Sequence, residues 1–479
     1  MRIKKCYNEM TELCWRCIDM AERTLMEKIE TLGMKKVISY VDKDPDQNIP
    51  KIVDWLLKHD VGGDSLTPQV RVIKKYIEDK DNNWYRLIKS LWTDCDDGIR
   101  RTLFENFIIN AGMLGPKKQL KVKAQYHCNV PWAILLDPTS ACNLHCVGCW
   151  AADYGHQMNL SFDELDDIVK QGKEMGTFMF IFTGGEPLVR KRDVIGLCEK
   201  HNDCAFLSFT NATLIDEAFA DEMLRVKNFI PAMSIEGFEK ETDERRGKGT
   251  YQAIMKAMEI LRERKLPFGI STCYTSANSE VLGSEEFFDA MIEKGVKFAW
   301  YFTYMPVGND AQPDLLATPE QRAFMYRQIR KFRTTKPIFT MDFWNDGEFV
   351  GGCIAGGRSY LHINANGDIE PCAFIHYSDC NIRDTSLLEA YQKPLFMQYH
   401  DNQPFNGNML RPCPLLDNRG KLAEMVKASG AHSTDMQSPE EVDDLCAKCF
   451  EAADRWEPVA QDLWENNPKH HYAGPRVNR

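Results

Sequence analysis

The stretch TSACNLHCVGCW places Cys142, Cys146 and Cys149 close together, spaced x3 and then x2. Thiolates are soft ligands suited to zinc and iron–sulfur groups. Four of them close a structural zinc site or an ordinary iron–sulfur cluster. Three leave one position open, and an open position is where a bound metal does chemistry. A zinc knuckle short of one ligand is the alternative at this point. The chain has 17 cysteines, grouped rather than spread. Cys353, Cys372, Cys380, Cys413, Cys446 and Cys449 form a second group, and Cys6, Cys14 and Cys17 a third. In a reducing compartment clustered cysteines bind metal more readily than they pair. Cys446-x2-Cys449 alone would also suit a structural zinc ribbon, and Cys14 and Cys17, one helical turn apart, suit a buried helical face. Cys95, Cys128, Cys198, Cys204 and Cys273 stand alone and read as small buried hydrophobes. This usage points to an oxygen-sensitive protein from an anaerobic setting.

Further along, FTGGEPL joins two glycines to an acid at Gly184, Gly185 and Glu186, where backbone can approach a ligand closely. SFTNATLI carries a polar turn at Thr210 and Asn211. SIEGFEKETDERRGKG supplies Ser234, Glu236, Arg245 and Arg246, and a guanidinium is built for bidentate pairing with a carboxylate. His432 reads as a loop histidine in a hydrogen-bonding role.

The elements that must position these residues fall into three blocks. Residues 1–128 read as a helical domain: MTELCWRCIDMAERTLMEKIETLG has helical spacing and a glycine stop, and GIRRTLFENFIINAGMLG is the most apolar segment. Over 129–335, the apolar runs WAILLD, TFMFIFT, CAFLSFT, FIPAMSI, FGISTCY and FAWYFTYM alternate with helical segments. That rhythm predicts an α/β fold with a parallel sheet, a partial (β/α)6 TIM-like barrel with the cysteine triplet directly after its first strand. Residues 336–479 read as a small α+β cluster-binding unit, with a hairpin in RSYLHINANGDIEPC.

Composition excludes several classes. Hydrophobic residues are 43% and charged residues 27%, ordinary for a globular chain of 479 residues. A net charge of −11 leaves no nucleic-acid footprint. No apolar run reaches the ~20 residues of a transmembrane helix. MRIKKCYNEM lacks the apolar core of a signal peptide, so the cytoplasm is expected.

Cys-x3-Cys-x2-Cys after the first strand, Gly-Gly-Glu after the second and Thr-Asn after the third resemble the radical S-adenosylmethionine superfamily. The resemblance implies a 4Fe–4S cluster on Cys142, Cys146 and Cys149, with S-adenosylmethionine chelating the fourth iron. It implies reductive cleavage to methionine and a 5′-deoxyadenosyl radical, which takes hydrogen from an unactivated C–H bond. Gly184, Gly185, Glu186, Thr210, Asn211, Ser234, Glu236 and Arg246 become cofactor-binding residues, with Arg246 on the cofactor carboxylate and Tyr304 and Met305 near the adenine. The family's aromatic residue before the third cysteine is Gly148 here, with Trp150 after it.

Cys353, Gly367 and Cys372 followed by NIRD resemble the SPASM-type auxiliary-cluster extension. Cys353, Cys372, Cys380, Cys413, Cys446 and Cys449 are then ligands of one or two auxiliary Fe–S clusters, their division left open. A reductant such as flavodoxin or ferredoxin is an implied partner. The substrate is a peptide or protein, as is usual for SPASM-type enzymes, or a lipid acyl chain. The second follows from an apolar helix running into PKKQLKVK, which could rest on an anionic membrane at its inner face. A non-catalytic electron-transfer iron–sulfur protein is the remaining alternative, and it explains neither the Gly-Gly-Glu turn nor the open fourth position.

Overall fold

The short apolar runs become strands. β1 (Ala133–Leu136), β2 (Met179–Phe182), β3 (Ala205–Thr210), β4 (Phe229–Ser234), β5 (Gly269–Tyr274) and β6 (Phe298–Thr303) are those expected from sequence. β7 (Phe339–Asp342), β8 (Tyr360–Ile363) and β9 (Ile369–Glu370) extend the same sheet, in the order β7-β6-β5-β4-β3-β2-β1-β8-β9. Every pairing is parallel except β8 with β9. The computed structural model describes residues 33, 35–59, 71, 74–308 and 311–467. The first expected helix and Cys6, Cys14 and Cys17 lie outside the described residues.

Helices cross between the strands, among them Phe162–Met175, Lys191–Lys200, Glu217–Val226, Thr250–Glu263 and Glu285–Glu293. The first begins on a reciprocal capping box of Ser161 and Glu164 and stops at left-handed Gly176. Alternate strand residues face opposite ways. Ile134, Leu136, Phe180, Phe182 and Phe206 meet the helices in one core. Ala133, Leu135, Ile181 and Leu207 face a second core, shared with C-terminal residues such as Tyr399, Leu422, Cys446 and Cys449.

β7 and β8 come from the segment expected to form a separate cluster-binding unit, and β8 pairs directly with β1. The boundary expected at 335/336 therefore falls within a continuous sheet. The hairpin is present, His362 of β8 facing Glu370 of β9. Among the described residues no helix is long and apolar enough to cross a membrane.

Ahead of β1, the helices Pro45–His59, Asn83–Thr93 and Asp97–Leu103 lead into an 11-residue π-helical stretch, Phe104–Leu114. Its widened turn shows where Gly115 N–H donates to Asn110 O, five residues back. Buried Asn106 and Asn110 tie it to the carbonyls of Asn202, Asp203 and Cys204. PKKQLKVK then continues as helix, Gly115–Tyr126. Its lysines do not share one outward face. Lys118 donates to Lys173 O, and Lys123 is half-buried, its ammonium lowered by burial and then by Arg358.

Candidate active site

The loop after β1 carries the cysteine triplet and is laced to the turn after β2. Gly185 N–H donates to Thr139 O at 3.1 Å and Glu186 N–H to Ala141 O at 2.8 Å. Both glycines are required by close approach. Gly184 has φ +103, and a Cβ there would lie 2.7 Å from Asp137 Cγ. A Cβ on Gly185 would lie 2.3 Å from the Ala141 carbonyl oxygen, next to Cys142. The Gly-Gly pair thus lets the second turn press against the backbone that presents the first cysteine.

Cys142, Cys146 and Cys149 line one cavity of about 320 Å³ on the sheet's second face. Glu186, Thr210, Asn211 and Ser234 line the same end, at the C-terminal edge of the strands, where such folds place their chemistry. Donors point at the sulfurs: Leu144 N–H and Asn211 Nδ2 at Cys142, and Arg246 Nη1 at Cys146, 3.4, 4.0 and 3.9 Å away. Burial pushes the Cys142 thiol up to about 11, so a thiolate there calls for a cation or metal. Hydrogen bonds to sulfur are how a protein tunes a cluster, and this donor set fits one. Among the described residues no three His, Cys, Asp or Glu side chains gather tightly enough to share a single ion. Sulfurs that hold a cluster each bind a different iron and need not do so.

The cofactor-binding candidates divide into two groups. Glu186 is fully buried and already satisfied, accepting from Thr210 Oγ1 and from the backbone N–H groups of Asn211 and Leu188. Burial raises its carboxyl above the usual value, against those hydrogen bonds. Glu236 does not line the cavity. Its carboxylate receives Arg245 at 2.6 Å and Arg246 at 2.5 Å, and Cys273 N–H at 3.1 Å. Burial pushes Glu236 up, but the two guanidinium groups outweigh it and hold the carboxyl below its ordinary value. Arg246, expected on a cofactor carboxylate, is thus held from behind by Glu236 while reaching towards Cys146. Ser234 and Asn211 stay at the cavity wall.

Three features escaped the sequence. A Cβ on Gly148 would lie 2.6 Å from the Tyr304 hydroxyl, so the ring of Tyr304, from the end of β6, fills the space of the expected aromatic residue. Cys273, read as an isolated core thiol, lines the cavity beside Arg245. Trp150 sits edge-to-face against His362, Phe374 and His376, with ring centroids 5.7, 5.8 and 6.0 Å away. His362 is fully buried between Asp137 and Glu370, at 2.8 and 2.6 Å. Burial alone would lower its imidazole, but Asp137 and Glu370 raise it to about 10. Glu370 also accepts Tyr154 Oη at 2.7 Å, and Tyr154 stacks on His376 at 4.4 Å. The loop that carries the triplet is thereby clamped to β8 and β9.

Cys353, Cys372 and Cys413 line a second, small cavity of about 30 Å³. Cys446 and Cys449, on the helix Val442–Glu465, belong to the same core. The buried Tyr399 hydroxyl has no hydrogen-bond partner among the described residues, although Cys353, Cys372, Cys413 and Cys446 all act on it electrostatically. An acceptor held by those four sulfurs would satisfy it, so this donor set also fits a cluster. Cys380 is elsewhere, packed against the helix-side core. His432 is an exposed residue of a two-stranded ribbon with Tyr377 and Ser378. Phe343, Tyr360 and Phe374 line both cysteine cavities.

A family model described as the Radical SAM superfamily matches residues 136–280. An uncharacterized protein of Methanocaldococcus jannaschii is 31% identical over 268 residues, covering 53% of this chain and 90% of the relative. The AdoMet-dependent heme synthase of Methanosarcina barkeri is 23% identical over 309 residues, 58% of this chain and 87% of the relative. The structure of Streptococcus suis SuiB bound to S-adenosylmethionine has the same fold, with TM-score 0.52 and 19% identity over 64% of this chain and 77% of SuiB.

Proposed function

Because the chain belongs to the radical SAM superfamily, we propose that it is an enzyme activating a C–H bond on a hydrocarbon chain, with an auxiliary Fe–S cluster in its C-terminal segment. Cys142, Cys146 and Cys149 would hold the 4Fe–4S cluster, with S-adenosylmethionine against Gly184–Glu186, Asn211, Ser234 and Arg246. The chemistry a bound cluster and cosubstrate supply is reductive release of a carbon radical that takes hydrogen from an unactivated C–H bond. The chain's own residues exclude water, aim substrate and hold charge. Arg245 and Arg246, buried with the single carboxylate Glu236, leave one surplus positive charge beside Cys146. Cys353, Cys372 and Cys413, with Cys446 or Cys449, would hold the auxiliary cluster. The electron donor would be a flavodoxin or ferredoxin.

The observation that carries the substrate reading is the cavity wall. Away from the cysteines it is mostly apolar, with Leu135, Ile181, Phe209, Phe302, Met341 and Phe343, and it carries the hydroxyls of Ser271, Thr303, Ser359 and Tyr360. A peptide there would meet few partners for its backbone groups, and each one left unpaired costs about 1–3 kcal/mol. A porphyrin's carboxylates would find only Arg245 and Arg246 among basic residues on the wall, both already on Glu236. A hydrocarbon chain asks for no partner.

Anaerobically reconstituted, dithionite-reduced protein should convert S-adenosylmethionine to 5′-deoxyadenosine and methionine. Cys142→Ala, Cys146→Ala and Cys149→Ala together should abolish this and leave about 4 iron atoms per chain, the content of one auxiliary cubane. Undiminished cleavage by that variant would refute the assignment of the triplet, and its retaining zinc but no iron would refute the auxiliary cluster.

A further inference from the structure

The cavity extends along the sheet away from the cysteines. β1 runs from Ala133 to Leu136 with the cysteine loop at its C-terminal end, so Trp132 lies at the opposite end, about 13 Å away at the usual rise per strand residue. Trp132, Ala133 and Ser359 line the cavity there. Trp132 and Ala133 N–H both donate to Ser359 O, at 2.8 and 2.9 Å, which fixes the backbone. The indole is fixed as well. Trp132 Nε1 donates to Ala111 O of the π-helical stretch at 2.9 Å, and its ring meets Phe107 edge-on at 5.6 Å. Phe107 and the adjacent Ile108 are exposed, 42% and 40%. The indole therefore stands between an apolar cavity and an apolar outer surface, held in place by a helix of unusual winding.

Resting on the hydrocarbon reading above, we propose that Trp132 is the floor of the substrate site and sets the length of chain it accepts. The substrate's reacting carbon lies at the cysteine end, and its tail runs down the sheet to the indole. Each methylene accommodated above Trp132 leaves water for an apolar wall and tightens binding about fourfold. Methylenes beyond the floor have no wall to meet and add nothing, so affinity should rise with chain length and then level off.

The test measures binding rather than turnover. Saturated fatty acids from decanoate to eicosanoate, in steps of two carbons, displace a fluorescent fatty-acid probe from the full chain. Lysophosphatidylcholines of the same chain lengths form a second series. In the wild type both series should level off at the same length. Trp132→Ala should move that point to longer chains, by at least two carbons. Ala133→Leu, which raises the floor from inside, should move it to shorter ones, and Trp132→Phe should change it least. An unmoved plateau in both Trp132→Ala and Ala133→Leu would overturn the inference while leaving the hydrocarbon reading intact. A plateau seen with the fatty acids alone would mean recognition of the carboxylate and would also overturn it. No binding of any chain by the wild type would overturn the hydrocarbon reading itself, and the inference with it.

Discussion

Gly185→Ala tests the link between the Gly-Gly-Glu turn and the position of Cys142. The new methyl would start 2.3 Å from the Ala141 carbonyl oxygen, 2.5 Å from that of Ser140 and 2.6 Å from the Ala141 carbonyl carbon. All three are backbone atoms and cannot rotate away. Real Cβ contacts essentially never fall below 3.0 Å, so the two segments must part by about 0.7 Å or more, the difference between 3.0 and 2.3. That parting strains the bonds from Gly185 N–H to Thr139 O and from Glu186 N–H to Ala141 O, and it displaces the residue before Cys142. Overpacking of this kind costs about 1–3 kcal/mol, and with only backbone to yield the upper end applies. A misplacement near 1 Å at a reacting centre can cost about a hundredfold in rate. Denaturant unfolding should therefore show a loss near 3 kcal/mol, and the folded variant should cleave S-adenosylmethionine about a hundredfold more slowly. Gly430→Ala is the control: its φ is +70 and nothing lies within 4 Å of the new methyl. It should lose only the left-handed backbone penalty, about 1–2 kcal/mol, with cleavage unchanged. Full activity and stability in Gly185→Ala would refute the argument that this glycine exists for close approach.

His362→Gln removes the cation between two buried carboxylates and should cost about 3–5 kcal/mol, as breaking a buried ion pair does. The imidazole is raised from 6.5 to about 10 in the fold, so its stabilisation is complete below pH 6.5 and is lost as pH rises towards 10. Wild type should lose stability over that window more steeply than His362→Gln, and parallel curves would exclude a buried imidazolium. Gly148→Ala, at φ +63 and 2.6 Å from Tyr304 Oη, should cost about 1–2 kcal/mol for the backbone plus about 1–3 kcal/mol for the collision. Tyr304→Gly in the same chain should remove the collision share. Strictly additive losses in the double variant would show that Tyr304 does not fill the Gly148 space.

The strands of the sheet were legible because each is a short apolar run closed by a polar turn, and β1 to β6 fall where those runs fall. The place of β8 beside β1 was not. A parallel pair has no turn to announce it, and the contact that seals it, His362 Nε2 to Asp137 Oδ1, spans 225 residues. The π-helical winding of Phe104–Leu114 was hidden because its apolar pattern reads the same as an ordinary helix. At the site, spacing alone singled out Cys142, Cys146 and Cys149, and the structure puts all three on one wall. Spacing also grouped Cys380 with the later cysteines, but a residue's neighbours in the chain do not fix which face of the sheet its side chain reaches. Gly148 looked like a missing aromatic, and the ring that replaces it arrives from the end of β6.

The two cysteine sites are neighbours because one strand serves both. β8 pairs with β1, whose end launches the triplet, and β8 begins with Tyr360, a residue on the wall of both cavities. Tyr360 Oη also lies 2.7 Å from Cys372 Sγ, so the wall is tied to a sulfur of the second site. On the other side, Trp150 follows Cys149 and leans on Phe374, which likewise faces both cavities. The two cavities thus share a partition that includes the rings of Phe343, Tyr360 and Phe374. It explains why the buried charges Asp137, His362 and Glu370 are worth their desolvation here. They lock β1, β8 and β9 in one register, and a slip of a single residue would turn Tyr360 to the opposite face. The C-terminal segment therefore supplies a wall of the cavity that the cysteine triplet lines.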